Sequence, residues 1–218
     1  MSTLQGASSA TPAPKRRLSR DFWTFWTGQT ISNLGTSFTL FALPLLVYKL
    51  TGSALNLAVT TAANMLPYLL FGLVFGAWVD RVNRKRLMIA VDLTRALVIS
   101  TIPIAWKLGI LDVWWIYAVG FISATLGIFF TSGEFAAIPS LVDQDDLVTG
   151  NGRIQASYSA AAVVGPIVAG ALVALLPIPT FMLIDATSFL FSAITLGLVR
   201  TSFNAVDSEP REKKSILR

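Results

Sequence analysis

Six long apolar stretches separated by short polar breaks organise this sequence. They run at about 22–48, 54–78, 87–107, 113–138, 154–176 and 180–199, and the breaks fall at 49–53, 80–86, 108–112, 140–153 and 177–179. A helix needs about 20 apolar residues to cross a hydrocarbon core of roughly 30 Å. The stretches meet that length and do not alternate as the strands of a membrane barrel would. The pattern predicts an all-α membrane protein with six transmembrane helices. Short breaks make consecutive helices antiparallel neighbours. Residues 1–20 are rich in Ser, Thr, Ala and Pro and then basic, which predicts a disordered tail. A signal peptide fits less well, because the apolar segment that follows is too long and has no small-residue cleavage site.

The basic residues add an orientation. With the N-terminus inside, fourteen of the seventeen Lys and Arg fall on the inner side, only Lys49 and Lys107 on the outer side, and Arg95 within a span. Such a bias predicts a multi-pass protein of the plasma (inner) membrane with both termini cytoplasmic. The net charge of +5 therefore points to the inner membrane surface and not to nucleic acid. Histidine and cysteine are absent, which removes thiol chemistry, Ser-His-Asp catalysis and most zinc sites. No phosphate-binding loop occurs, so neither an enzyme, nor a cofactor, nor ATP-driven transport is expected. Asp143, Asp145 and Asp146 sit in a polar break and read as solvated.

The second three stretches echo the first. Ala42-Leu43-Pro44 matches Ala137-Ile138-Pro139, Thr51-Gly52-Ser53 matches Thr149-Gly150-Asn151, and Asp92-Leu93-Thr94 matches Asp185-Ala186-Thr187. Three helices reverse the chain direction, so the repeat is inverted, the arrangement from which transporter halves are built.

The break after the second stretch holds the most specific motif, Gly76-x-x-x-Asp80-Arg81-x-x-Arg84-Lys85-Arg86. It resembles the signature loop of the major facilitator superfamily, with Asn83 where that family usually has Gly. Trp26-x-Gly28-Gln29-x-Ile31-Ser32-Asn33-Leu34-Gly35, Leu50-Thr51-Gly52-Ser53-Ala54 and Ile184-Asp185-Ala186-Thr187-Ser188-Phe189 resemble its macrolide-efflux and enterobactin-exporter branch. The resemblance runs from about Arg20 to Arg218 and covers only the first half of a twelve-helix transporter. It implies residues 21–199 as a six-helix half and 200–218 as the start of a central cytoplasmic loop. It also implies a lipid bilayer and a small-molecule substrate as partners, and a second six-helix half or a second copy of the chain. The implied activity is alternating-access efflux of amphipathic molecules such as drugs or siderophores. A truncated, non-transporting membrane protein or assembly partner is the alternative. Two departures bear on proton coupling. Thr36 stands where relatives often carry Asp, and the fourth helix lacks the Arg motif of many proton-coupled exporters.

Within that frame the individual residues divide into groups. Gly76 and Asp80 share a helix face, where Gly permits close approach and Asp can cap a helix N-terminus of the other half, forming a gate latch. Glu134, near the inner end of the fourth stretch, is expected to pair with Arg81 or Arg84. Asp92, Arg95 and Asp185 are intramembrane charges. A lone charge at mid-bilayer costs at least about 2.5–3.5 kcal/mol, so an Asp92–Arg95 ion pair tying helices together is expected, with substrate or proton work as the alternative. Asp185 is expected to be hydrogen-bonded to Thr187, Ser188 or another helix or protonated in part, Asp92 and Asp185 being the carboxylates that could carry a proton. Gln29, Asn33 and Asn64 are candidates for a cavity wall or for interhelical hydrogen bonds. Gly165, Pro166 and Gly170 resemble a kink motif, either a hinge or a close-packing site. Phe22, Trp23 and Trp26 at the inner end, and Trp106, Trp114, Trp115 and Tyr117 at the outer end, read as interfacial belts.

Overall fold

Helix starts and stops follow local chemistry. In the computed structural model, which describes residues 18–71 and 82–204, Ser19 caps the first helix by accepting a hydrogen bond from the Phe22 N–H at 3.0 Å. That helix, α1, spans Arg20–Thr51 and ends at Gly52, whose φ of 64° is a left-handed cap that closes on the Tyr48 carbonyl. Ser53 then caps α2, Ala54–Phe71. Asn83 caps α3, Arg84–Lys107, by accepting from the Arg86 N–H. Helix α4 spans Val113–Leu141. After a 3-10 turn at Gln144–Asp146, α5 spans Leu147–Leu172. Helix α6, Pro179–Leu198, opens on a proline, whose fixed φ suits a first turn.

All six helices are long and apolar enough to cross a membrane. Helix α5 begins earlier than its apolar stretch. The polar run from Thr149 to Arg153 is helical because backbone hydrogen bonding continues past the hydrocarbon-compatible part.

The packing repeats. The principal helix pairs are α1–α6 and α3–α4, α1–α5 and α2–α4, α1–α2 and α4–α5, with α3–α6 and α1–α4. Exchanging helices 1–3 for helices 4–6 maps that set onto itself, as two equivalent three-helix units require. Small residues mark the tightest crossings. A Cβ placed on Gly28 would lie 3.0 Å from the Thr195 Cβ, and one on Gly35 would lie 2.8 Å from the Ser188 Cβ, so α1 and α6 meet almost backbone to backbone.

Two apolar clusters fill the bundle. One joins Leu43, Leu46, Ile99, Ile102, Ile116, Phe181 and Phe189. The other joins Phe22, Phe25, Met88, Phe130, Leu141, Ile154 and Phe203. Phe22 is fully buried in this second cluster, so it is a core residue and not part of an interfacial belt. Trp23, Trp106, Trp114 and Trp115 are exposed. Where the clusters meet lies a buried polar layer that includes Gln29, Asp92, Asp185, Ser188 and Ser192.

Candidate functional site

A cavity of about 360 Å³ opens between α1, α2 and α4, backed by α3 and α6. Its exposed wall is mostly apolar, with Thr36, Thr39, Thr61, Asn64, Tyr68 and Ser123 as polar points and Arg95 and Asp185 as its charges. The Arg95 guanidinium lies 4.0 Å from the centroid of the Phe189 ring, a cation–π arrangement. Its Nη2 donates to Thr36 Oγ1 at 3.5 Å, and that hydroxyl donates to Asp185 Oδ1 at 3.4 Å. Ser188 Oγ also donates to Asp185, whereas Thr187 turns back to the Ile184 carbonyl. Thr36, the departure from the family pattern, is thus the hydroxyl that joins α3 to α6 across α1.

A smaller polar chamber of about 80 Å³ adjoins the cavity and shares Thr36, Tyr68, Arg95 and Gly127 with it. Gln29, Asn33, Thr131 and Tyr158 complete much of its wall. Gln29 is tied across to α6 through a 3.1 Å hydrogen bond from its Nε2 to Ser192 Oγ. Asn33 Nδ2 and Arg95 Nε are buried without a partner. Asn64 donates to the Thr60 carbonyl of its own helix and faces the larger space. Two of the three uncharged amides therefore line the chamber and one lines the cavity.

Behind the chamber stand two fully buried carboxyl groups. Glu134 Oε2 accepts from the Tyr158 hydroxyl at 2.5 Å, while Oε1 has no partner. Neither oxygen of Asp92 makes a well-aligned hydrogen bond, although the Ser192 side chain is close enough to act on it. The charges of Arg95 and Asp185 act on Asp92, and the charge of Asp92 acts on Glu134. The expected Asp92–Arg95 ion pair is therefore not the contact formed, because the guanidinium turns to Thr36 and Phe189. Glu134 meets Tyr158 of α5 and not Arg84.

Arg84 is turned to the backbone at the end of the bundle where α1 begins. Its Nη1 donates to the Ala136 and Phe203 carbonyls at 3.3 and 3.1 Å, and its N–H to Asn204 Oδ1. Lys85 Nζ donates to the Gly197 and Val199 carbonyls at the end of α6. Cations at helix C-termini satisfy open carbonyls and the helix dipole together. Arg86 is exposed. Gly76, Asp80 and Arg81 lie outside the described residues. Asp21, which sequence reasoning passed over, accepts on one oxygen from the Arg200 N–H, the Thr201 N–H and the Thr201 hydroxyl at 2.9, 2.7 and 2.7 Å.

Gly165 sits against α1: a Cβ there would lie 2.5 Å from the Ser37 Cβ. Gly170 has more room, with Phe41 Cζ 3.8 Å from its added Cβ. Pro166 lies inside an unbroken α5.

The sequence profile of the Major Facilitator Superfamily matches residues 25–218. Macrolide efflux protein A of Streptococcus pyogenes is 32% identical over 179 residues, which is 82% of this chain and 44% of that protein. Macrolide efflux protein A of Enterococcus faecalis is 33% identical over 149 residues, or 68% of this chain and 46% of the relative. Multidrug efflux pump Tap of Mycolicibacterium fortuitum is 28% identical over 172 residues, or 76% of this chain and 42% of the relative. The chain spans about half the length of the curated relatives it matches.

Proposed function

The chain belongs to the major facilitator superfamily, and from that membership we propose that it forms the N-terminal six-helix half of a secondary active efflux transporter. The observation that carries this reading is the cavity on α1, α2 and α4, apolar in its wall and charged only at Arg95 and Asp185. An amphipathic molecule with one polar group suits such a wall, with macrolide-like drugs as the first candidates and siderophores as a second class.

A second six-helix unit completes the pathway. Helix α2 supports this, because only Thr60 and Pro67 are buried along it while Leu55, Met65, Leu66, Tyr68, Leu69 and Leu70 are exposed. Helix α5, its counterpart under the repeat exchange, exposes Val148, Val163, Val164 and Ile167. The second unit is the missing portion of a chain as long as the relatives, or a second copy. The basic-residue count favours cytoplasmic termini in the plasma membrane. In that orientation Gly76, Asp80 and Arg81 form the cytoplasmic gate with the second unit, while Arg84 and Lys85 hold its base to α4 and α6.

The test is expression in an efflux-deficient bacterium, as the 218-residue chain and with whatever six-helix sequence continues it. Lower accumulation of a fluorescent amphipathic drug, abolished by Arg95→Ala, supports the reading. Unchanged accumulation with the protein in the membrane and its second unit present refutes it.

A further inference from the structure

Helix α1 is uncovered along one side, between two helices that pack on it. Gly28 and Gly35 bring α6 against one flank, and Gly165 brings α5 against Ser37 on another. Arg20, Trp23, Thr27 and Ile31 recur at helical spacing between those contacts, and all four are exposed. Helix α1 is therefore the floor of a valley whose walls are α5 and α6. From Ile31 onward the valley deepens into an apolar groove of about 350 Å³, walled on the α6 side by Ile184, Thr187 and Phe191.

The shallow end of the valley is cationic. There the Arg153 guanidinium of α5 lies 4.8 Å from the centroid of the Trp23 ring. Trp23 meets Trp26 edge to face with centroids 5.4 Å apart, and Trp26 Nε1 donates to the Arg153 carbonyl at 3.1 Å. The indole holds one face of the guanidinium, and Arg153 is otherwise exposed, so its N–H edge is left to the surface. Arg20 stands one turn before Trp23 on the same face of α1. Three acids at this end of the bundle are engaged elsewhere. Asp21 is turned to Arg200 and Thr201, and Asp143 and Asp146 line a separate polar pocket with Ser19 and Ser140. Depth also fits. At 1.5 Å per residue, Ile31 and Leu34 lie about 12 and 16 Å from Trp23 along the axis. Half of a hydrocarbon core is roughly 15 Å. The groove is thus at the depth that the end of an acyl chain reaches when its headgroup is level with Trp23.

We propose that this valley binds one anionic phospholipid. Arg153 and Arg20 hold its phosphate, and one acyl chain runs over Thr27 and Ile31 into the groove beside Phe191. Guanidinium offers a planar fork of donors that matches phosphate, and an indole beside it sits at headgroup level. Two such cations favour a headgroup with net negative charge over a zwitterionic one, whose own cation they repel. The lipid bridges α1 to α5 through the two arginines, and its chain covers the apolar floor where α1 meets α6.

The test uses the 218-residue chain in phosphatidylcholine nanodiscs and needs neither a transported substrate nor a second six-helix unit, so it is decided separately from efflux. A trace of phosphatidylglycerol carries a diazirine near the end of one acyl chain, and cross-linked peptides are mapped by mass spectrometry. Adducts are expected on α1 between Thr27 and Phe38 and on α6 between Ile184 and Phe191. Their yield should exceed that of phosphatidylcholine with the same labelled chain at least several-fold. It should fall several-fold in Arg153→Gln, which leaves the carbonyl bonded by Trp26 in place, and further in Arg20→Gln/Arg153→Gln. Adducts equally dense along the exposed face of α2 overturn the site. Equal yields from the two lipids in the parent chain, a comparison that needs no variant, overturn the anionic headgroup, and full yield in the double variant overturns the role of the arginines.

Discussion

Replacing Gly165 and Gly170 one at a time by Ala separates close packing from hinging in α5. An added Cβ at Gly165 would sit 2.5 Å from the Ser37 Cβ and 3.6 Å from the Ser37 carbonyl carbon. Carbon atoms prefer about 3.5–4.0 Å. A Cβ cannot rotate away, so α5 must move off α1 by roughly 1 Å or α1 must deform. Overpacking of this kind costs about 1–3 kcal/mol. At Gly170 the nearest atom to the added Cβ is 3.8 Å away, an ordinary contact, so no such cost arises. Both substitutions gain about 0.8–1 kcal/mol of helix propensity, and that gain cancels in the comparison. Gly165→Ala should therefore be less stable than Gly170→Ala by about 1–3 kcal/mol, and Gly170→Ala should match or exceed the parent. Unfolding by dodecyl sulfate from mixed micelles, followed by the fluorescence of the six tryptophans, measures the difference. Equal stabilities, or a more stable Gly165→Ala, would refute the packing reading and return the pair to a hinge role.

Other expectations follow from the same contacts. Asp21→Ala removes the acceptor of three hydrogen bonds to Arg200 and Thr201; hydrogen exchange at those two amides should speed up several-fold, and unchanged protection counts against the clamp. Arg84→Lys places one ammonium where Arg84 reaches both the Ala136 and Phe203 carbonyls, so a loss of about 1–2 kcal/mol is expected in the same unfolding assay, against no loss if Arg84 serves only as a topology charge. Gln29→Leu breaks the bond to Ser192 and should cost only about 0.6 kcal/mol, the average for such bonds in membranes. A much larger loss would mean that the amide supports more than one helix contact.

The number and length of the helices are legible in the sequence because they depend on local features, and the same local features carry the orientation proposed above. Run length decides whether a segment spans a membrane, and Lys and Arg counts at the breaks decide which end faces inward. Intramembrane charges such as Asp92, Arg95 and Asp185 are also visible as single letters in apolar runs. Their partners are not. Arg95 meets a ring 94 positions along the chain, Asp21 meets residues 179 and 180 positions away, and Glu134 meets Tyr158 on the next helix. Those contacts depend on how each helix is rotated about its axis. In a water-soluble helix an apolar stripe would reveal that rotation. Here lipid and core are both apolar, so α1, α4 and α5 are hydrophobic nearly all round and carry no stripe to read. Close approach through Gly28, Gly35 and Gly165 sets the rotation, and only then do Arg84 turn to carbonyls, Thr36 bridge Arg95 to Asp185, and Glu134 meet Tyr158.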